Sequence, residues 1–228
     1  MRRTACLALA VLTLLPAACG DDDDTGDDAA EETTTTTAAP DATGTTAPGV
    51  VCDPVALDAA ALADVRPDGV PAGYELQPEA VGDTGPSDLA KAAADDGEDG
   101  AEAALRDARF RRGYQWLWIS EDDSQLVGFV YEFCDEAGAG TYRDRGLTRT
   151  GLTEFPVETD GSEALQGAEG RSGATGPVGA ARVLVVRGPY LVVASANAEL
   201  EQHSLEDLQT QATDLAEAMV GKLPAPTG

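Results

Sequence analysis

The chain has 228 residues, with 41 acidic against 15 basic side chains, a net charge of −26, four cysteines and a single histidine. So acidic a chain does not offer the basic surface that nucleic acid requires. One histidine leaves no His-rich metal site and argues against a histidine-based triad.

Arg2 and Arg3 precede an apolar run from Leu7 to Leu15, interrupted only by Thr13. The run is shorter than the roughly 20 residues a spanning helix needs. With the small residues Ala17 and Ala18 behind it, it predicts a secretory signal over residues 1–18. An ordinary signal peptide cleaved near Ala18 would leave Cys19 incidental. The stretch "LLPAAC" at 14–19, however, resembles a bacterial lipobox, although Pro16 stands where that pattern prefers Leu. The resemblance implies that Cys19 carries diacylglycerol, becomes the new N-terminus, and holds the protein on the extracytoplasmic face of the cell membrane. Each buried methylene contributes about 0.8 kcal/mol, so two or three acyl chains hold where one holds marginally.

Residues 20–50 contain no basic and no aromatic side chain. Such a segment buries too little surface to offset its ordering entropy. Its like charges repel and extend it, and a flexible coil of about 30 residues spans roughly 30 Å. Residues 19–50 therefore read as a lipidated cysteine followed by a disordered acidic and Thr-rich stalk. Metal binding by these aspartates is not expected, because no fixed backbone converges them. Nine of the acids and two of the bases lie in residues 1–50, which leaves 32 acids against 13 bases in residues 51–228. That length suits one exported domain with one core. With Cys6 in the signal and Cys19 as the lipid site, Cys52 and Cys134 remain. In an oxidising compartment this pair predicts a disulfide, the alternative being two free buried thiols.

Within the domain, "ALDAAALADV" at 56–65 predicts a helix with Leu57, Ala61, Leu62 and Val65 on one face. The Pro/Gly-rich stretch 66–79 breaks it. Residues 87–108 read as helical, with Ser87 as N-cap and "DDGEDG" at 95–100 as an interruption. "GYQWLWIS" at 113–120 alternates, with Tyr114, Trp116 and Trp118 opposite Gln115, Leu117 and Ile119. "QLVGFVYEFC" at 125–134 also alternates, with Val127, Phe129, Tyr131 and Phe133 opposite Leu126, Val130, Glu132 and Cys134. The two form a hairpin. Asp135 caps a short helix whose Ala137, Thr141 and Tyr142 are expected to face the sheet. "TEFPVE" is briefly extended, and 160–179 is ambiguous, with a short strand expected in its first half. "ARVLVVRGPYLVVASA" makes a second hairpin. Ser204 and Asp207 form a capping-box start to a final helix with Leu205, Leu208, Ala212, Leu215, Met219 and Leu223 on one stripe. Gly221 and Pro224 end it. Helices alternating with hairpins predict an α+β fold, with one antiparallel sheet of about four to six strands packed with helices.

The pieces "VPAGYEL", "FRRGYQWLW", "LVGFVYEFCDEAGAGTYRD", "FPVE" and "GPYLVVASA" resemble uncharacterised actinobacterial exported lipoproteins with Mog1/PsbP-like or kinase-sensor-like α+β domains. The resemblance covers roughly residues 70–222. It implies a domain that binds or scaffolds, and it carries over no functional residue.

No residue pattern marks a reaction. No phosphate-binding glycine loop appears, and no G-x-S-x-G nucleophile turn. "DDGEDG" mimics the start of a calcium loop, but the twelfth position from Asp95 is Arg106, where a bidentate Glu belongs. No metal or cofactor is therefore expected. Tyr114, Trp116, Trp118, Phe129, Tyr131 and Phe133 gather most of the chain's aromatics. They read as core or, alternatively, as a cleft for an apolar or glycan ligand, with Tyr114, Trp116, Trp118 and Tyr131 as its ligand-binding residues. The expectation is a non-enzymatic, lipid-anchored domain of the cell envelope that binds a ligand or a protein partner. The alternatives are an interaction protein whose acidic surface meets cationic partners, and a carboxylate-dependent hydrolase.

Overall fold

The computed structural model describes Cys52, Leu57 and residues 59–148, 152–159, 162–169 and 176–225, all within the compact unit 44–228. The expected signal peptide (1–18), Cys19 and the expected stalk (19–50) lie outside the described residues.

Eight strands build one antiparallel sheet among the described residues. They are β1 (Tyr74–Leu76), β2 (Gly85–Ser87), β3 (Phe110–Ser120), β4 (Gln125–Phe133), β5 (Thr153–Glu154), β6 (Ser162–Glu169), β7 (Val178–Arg187) and β8 (Tyr190–Glu199). The order across the sheet is β1-β3-β4-β8-β7-β6-β5, and β2 pairs with β3 on the same edge as β1. Five helices accompany it: α1 (Ala59–Ala63), α2 (Leu89–Asp96), α3 (Ala101–Asp107), α4 (Glu136–Leu147) and α5 (Leu205–Val220). The α+β class and both expected hairpins are present. The expected four to six strands are too few. β1 and β2 are three residues each inside a Pro/Gly-rich stretch, and β5 has two. Such short pieces carry no visible period, and pairing to long β3 and β6 is what makes them strands.

The central strands are covered on both faces, in different ways. On one face α5 packs through Leu208, Ala212, Leu215, Ala216 and Met219. Beneath it lie Trp116, Trp118, Leu126, Val130, Val183, Val192 and Ala194, with Leu62 and Val65 from the α1 region. Gly128 makes this approach possible, because a Cβ there would stand 2.9 Å from the Met219 sulfur. On the other face α2, α3 and α4 pack Ala92, Leu105, Ala139 and Tyr142 against Tyr131, Phe133, Leu184 and Leu191.

Two local expectations need correction. The N-cap of α2 is Asp88, whose Oδ1 accepts from Lys91 N at 2.8 Å, while Ser87 ends β2. In α4 the buried residues are Gly138, Ala139 and Tyr142, whereas Ala137 and Thr141 are exposed. The end of α3 decides this rotation: a Cβ at Gly138 would fall 2.2 Å from the Ala108 carbonyl oxygen. Only a residue without one lets the two backbones meet.

The Cys52–Cys134 disulfide is present, with Cα atoms 4.5 Å apart and a sequence separation of 82. In the chain-entropy model a loop of that size stabilises by roughly 4 kcal/mol. It fastens the start of the domain to the end of β4. Nearby, Leu57 N donates to the Tyr190 hydroxyl at 3.2 Å, and Arg112 Nη2 donates to Leu57 O at 2.8 Å. Arg112 also pairs with the fully buried Glu132 at 2.8 Å, and Arg111 does so at 3.2 Å. A buried carboxylate stays charged only when cations compensate its lost hydration.

Candidate functional site

The face of the sheet opposite α5 is not closed. Strand register lays its residues in parallel rows across β3, β4, β8 and β7. The first row is Gly113, Tyr131, Leu191 and Val186. The second is Gln115, Phe129, Val193 and Leu184. The third is Leu117, Val127, Ser195 and Arg182. The fourth begins with Ile119, Gln125 and Asn197. The three short helices lie over the first rows, as their contacts with Tyr131, Leu184 and Leu191 show. Beyond them the floor forms a groove of about 410 Å³. That is within the range of small-molecule sites, roughly 300–1,000 Å³.

Its floor grades from apolar to polar. Val127, Phe129 and Val193 are neighbours on central strands and are only half-buried. Ser195, Asn197 and Gln125 follow at the far end. Gly113 sets the near end, since a Cβ there would lie 2.5 Å from Tyr131 Cδ1. Its absence lets the Tyr131 ring lie against β3. The Phe129 and Tyr131 rings stand 5.5 Å apart at 40°.

The wall beside β3 is acidic and carries Asp83, Asp95 and Asp96. Lys91 Nζ donates to both Asp95 oxygens, at 3.1 and 2.9 Å, and to Gln115 Oε1 at 2.6 Å. Asp96 accepts from the Tyr142 hydroxyl and from Arg145 Nη1, the latter at 3.1 Å to each oxygen, which ties the end of α2 to α4. Burial pushes the Asp95 carboxyl up from its ordinary range; Lys91 opposes this and the charge of Asp83 adds to it. Arg182, on β7, is the basic residue among the described lining.

The residues expected to bind a ligand do not gather in one place. Tyr114, Trp116 and Trp118 belong to the core on the α5 face, with Trp116 2% exposed. Tyr131 is on the opposite face and lines the groove. The register decides this: Tyr114 opposes Val130, so Phe129 and Tyr131 turn away from the tryptophans. The Tyr114 hydroxyl donates to Glu79, and burial first, then Glu79, push it up to about 12. The groove residues missed from the sequence are Gln115, Asp83, Asp95, Asp96 and Arg182. Gln115 and Arg182 carried a signal, as long polar side chains inside otherwise apolar strands. The aspartates carried none among so many acids.

Ser120, Asp122 and His203 also meet, away from the groove. Asp122 accepts from Ser120 Oγ and lies 2.8 Å from His203 Nε2. The Ser120 hydroxyl, then His203, hold the Asp122 carboxyl well below the usual carboxylate range. The carboxylate stands between hydroxyl and imidazole, so the imidazole is not placed to take the serine proton as a triad requires. Among the described residues no group of three or more His, Cys, Asp or Glu is arranged to hold a metal ion, and no helix is long and apolar enough to cross a membrane.

The fold and site together define a two-faced antiparallel sheet domain, sealed by a helix on one face and grooved on the other. No protein-family model matches the chain, and no curated protein matches it. Among solved structures it is similar to the extracellular domain of PknH from Mycobacterium tuberculosis, at 12% identity and a TM-score of 0.35, over 73% of this chain and 91% of that one.

Proposed function

We propose that this protein is an exported, non-enzymatic binding domain, tethered through a lipid on Cys19 to the extracytoplasmic face of the cell membrane, and that the groove receives the apolar body of a small ligand. The observation that carries the reading is that Val127, Phe129 and Val193, on central strands, are only partly buried. Fully burying such a side chain contributes about 1.5–3 kcal/mol, so a floor left open is a surface a ligand can use. The polar groups at the two ends, Gln115 with the aspartates and Ser195 with Asn197, would orient what the floor holds. The disulfide accords with an oxidising compartment.

The test is a titration of the full-length protein with an uncharged solvatochromic dye. One saturable site is expected. Val127→Lys should abolish it, while Leu76→Lys, exposed elsewhere, should leave it intact. Dye binding indifferent to Val127→Lys overturns the groove as the site. The anchor has its own test: incorporation of labelled palmitate in an exporting host, lost in Cys19→Ala.

A further inference from the structure

The two ends of the groove differ in charge, and the difference selects a ligand. Three carboxylates line the wall beside β3, and the basic lining residue Arg182 stands on β7, three strands away. At about 4.8 Å per strand that is roughly 14 Å across the sheet. Asp96 is engaged by Arg145 and Tyr142. Asp83 and Asp95 remain, and the ammonium of Lys91 pairs with Asp95. Asp83 has no ion pair of its own among the described residues.

That ammonium shows what the corner accepts. Lys91 Nζ finds acceptors at 2.6, 2.9 and 3.1 Å on Gln115 and Asp95. Asp83 adds a second carboxylate without adding a second cation. Burial is what chiefly raises the Asp95 carboxyl; Lys91 opposes the rise, and the charge of Asp83 lies near enough to add to it. The aromatic rings of Tyr131 and Phe129 lie on the adjoining floor, and the π-faces of such rings attract cations. The surplus of acids over bases in residues 51–228 adds a long-range field that concentrates cations near the protein.

We propose that the ligand of the groove is an amphipathic organic cation, an amine or quaternary ammonium on an apolar body, with its head at Asp83 and Asp95 and its body over Phe129, Val127 and Val193. This rests on the groove being a binding site, and it names the chemistry that the site selects.

The experiment is calorimetric titration of the full-length protein with three probes of one chain length, each below its micelle concentration: decyltrimethylammonium, decanoate and uncharged decyl glucoside. The cationic probe should bind about tenfold tighter than either other, a difference of about 1.4 kcal/mol. Asp83→Asn should remove most of that preference and leave the glucoside unchanged. Glu206→Gln removes the same charge from an exposed position on α5, and should change nothing. Equal binding of all three probes overturns the cation assignment and leaves the groove standing. So does a loss in Glu206→Gln equal to that in Asp83→Asn, which would mean diffuse attraction to an acidic protein. Failure of every probe to bind overturns the groove reading and the assignment with it.

Discussion

The two faces of the central sheet carry similar apolar side chains and end differently. On the α5 face Trp116, Leu126, Val130 and Val192 are essentially inaccessible. On the other face Phe129, Val127 and Val193, on the same central strands, are only partly buried. Helix length accounts for much of this. At 1.5 Å per residue, the 16 residues of α5 span about 24 Å, whereas the eight of α2, the seven of α3 and the twelve of α4 reach about 12, 10 and 18 Å. Helix surface accounts for the rest. Ala212, Ala216 and the vacant side of Gly128 let α5 sit close to the strands. The short helices instead tie themselves to one another through Asp96, Arg145 and Tyr142, and stop short of the far rows. A sheet face becomes a groove where its cover runs out.

The sharpest way to break this contrast is a matched pair of truncations. Trp116→Ala on the sealed face should cost about 3–5 kcal/mol, as large core truncations do. Phe129→Ala on the open face should cost well under half of that, and should instead weaken ligand binding. Urea denaturation of both variants decides it; equal losses would mean that the groove floor is core. A smaller effect is expected from Gly128→Ala. The added methyl meets Met219 on the sealed face, and overpacking of this kind costs about 1–3 kcal/mol. An unchanged melting midpoint would show that α5 is free to lift.

The smallest effect is in alkali. Tyr114, in the core on the α5 face, is held protonated up to about 12 by burial and by Glu79. A folded-state value above the unfolded value of 10 means stability that is fully present below pH 10 and lost as the pH rises through about 12. Tyr114→Phe should therefore flatten the decline of stability across that window, followed by circular dichroism. The difference in phenolate absorbance between wild type and Tyr114→Phe should show the Tyr114 phenol ionising late. A Tyr114 that titrates near the ordinary value of 10 would place it in water, contrary to the sealed face.

Much was decided along the chain alone. Alternation over 113–120 and 125–134 assigned the side chains from Tyr114 to Ile119 in β3 and most of those in β4 to one of two faces, because the period of a strand is two, although β3 itself begins three residues earlier, at Phe110. Ser204 with Asp207 started α5, and the stripe from Leu208 to Leu223 oriented it, because caps and helical spacing are local. Cys52 and Cys134 were the pair left for a disulfide once Cys6 and Cys19 had other expected places. Tertiary structure decided the rest. Register sent Tyr131 away from Tyr114, Trp116 and Trp118, since one strand's faces have no relation to its neighbour's until hydrogen bonds align them. Contact with Ala108 turned Gly138 inward and Ala137 and Thr141 out. Pairing to a long neighbour made strands of β1, β2 and β5. The groove itself is a product of how far three short helices reach over a sheet they meet only after folding, and that reach is a distance between elements remote in sequence.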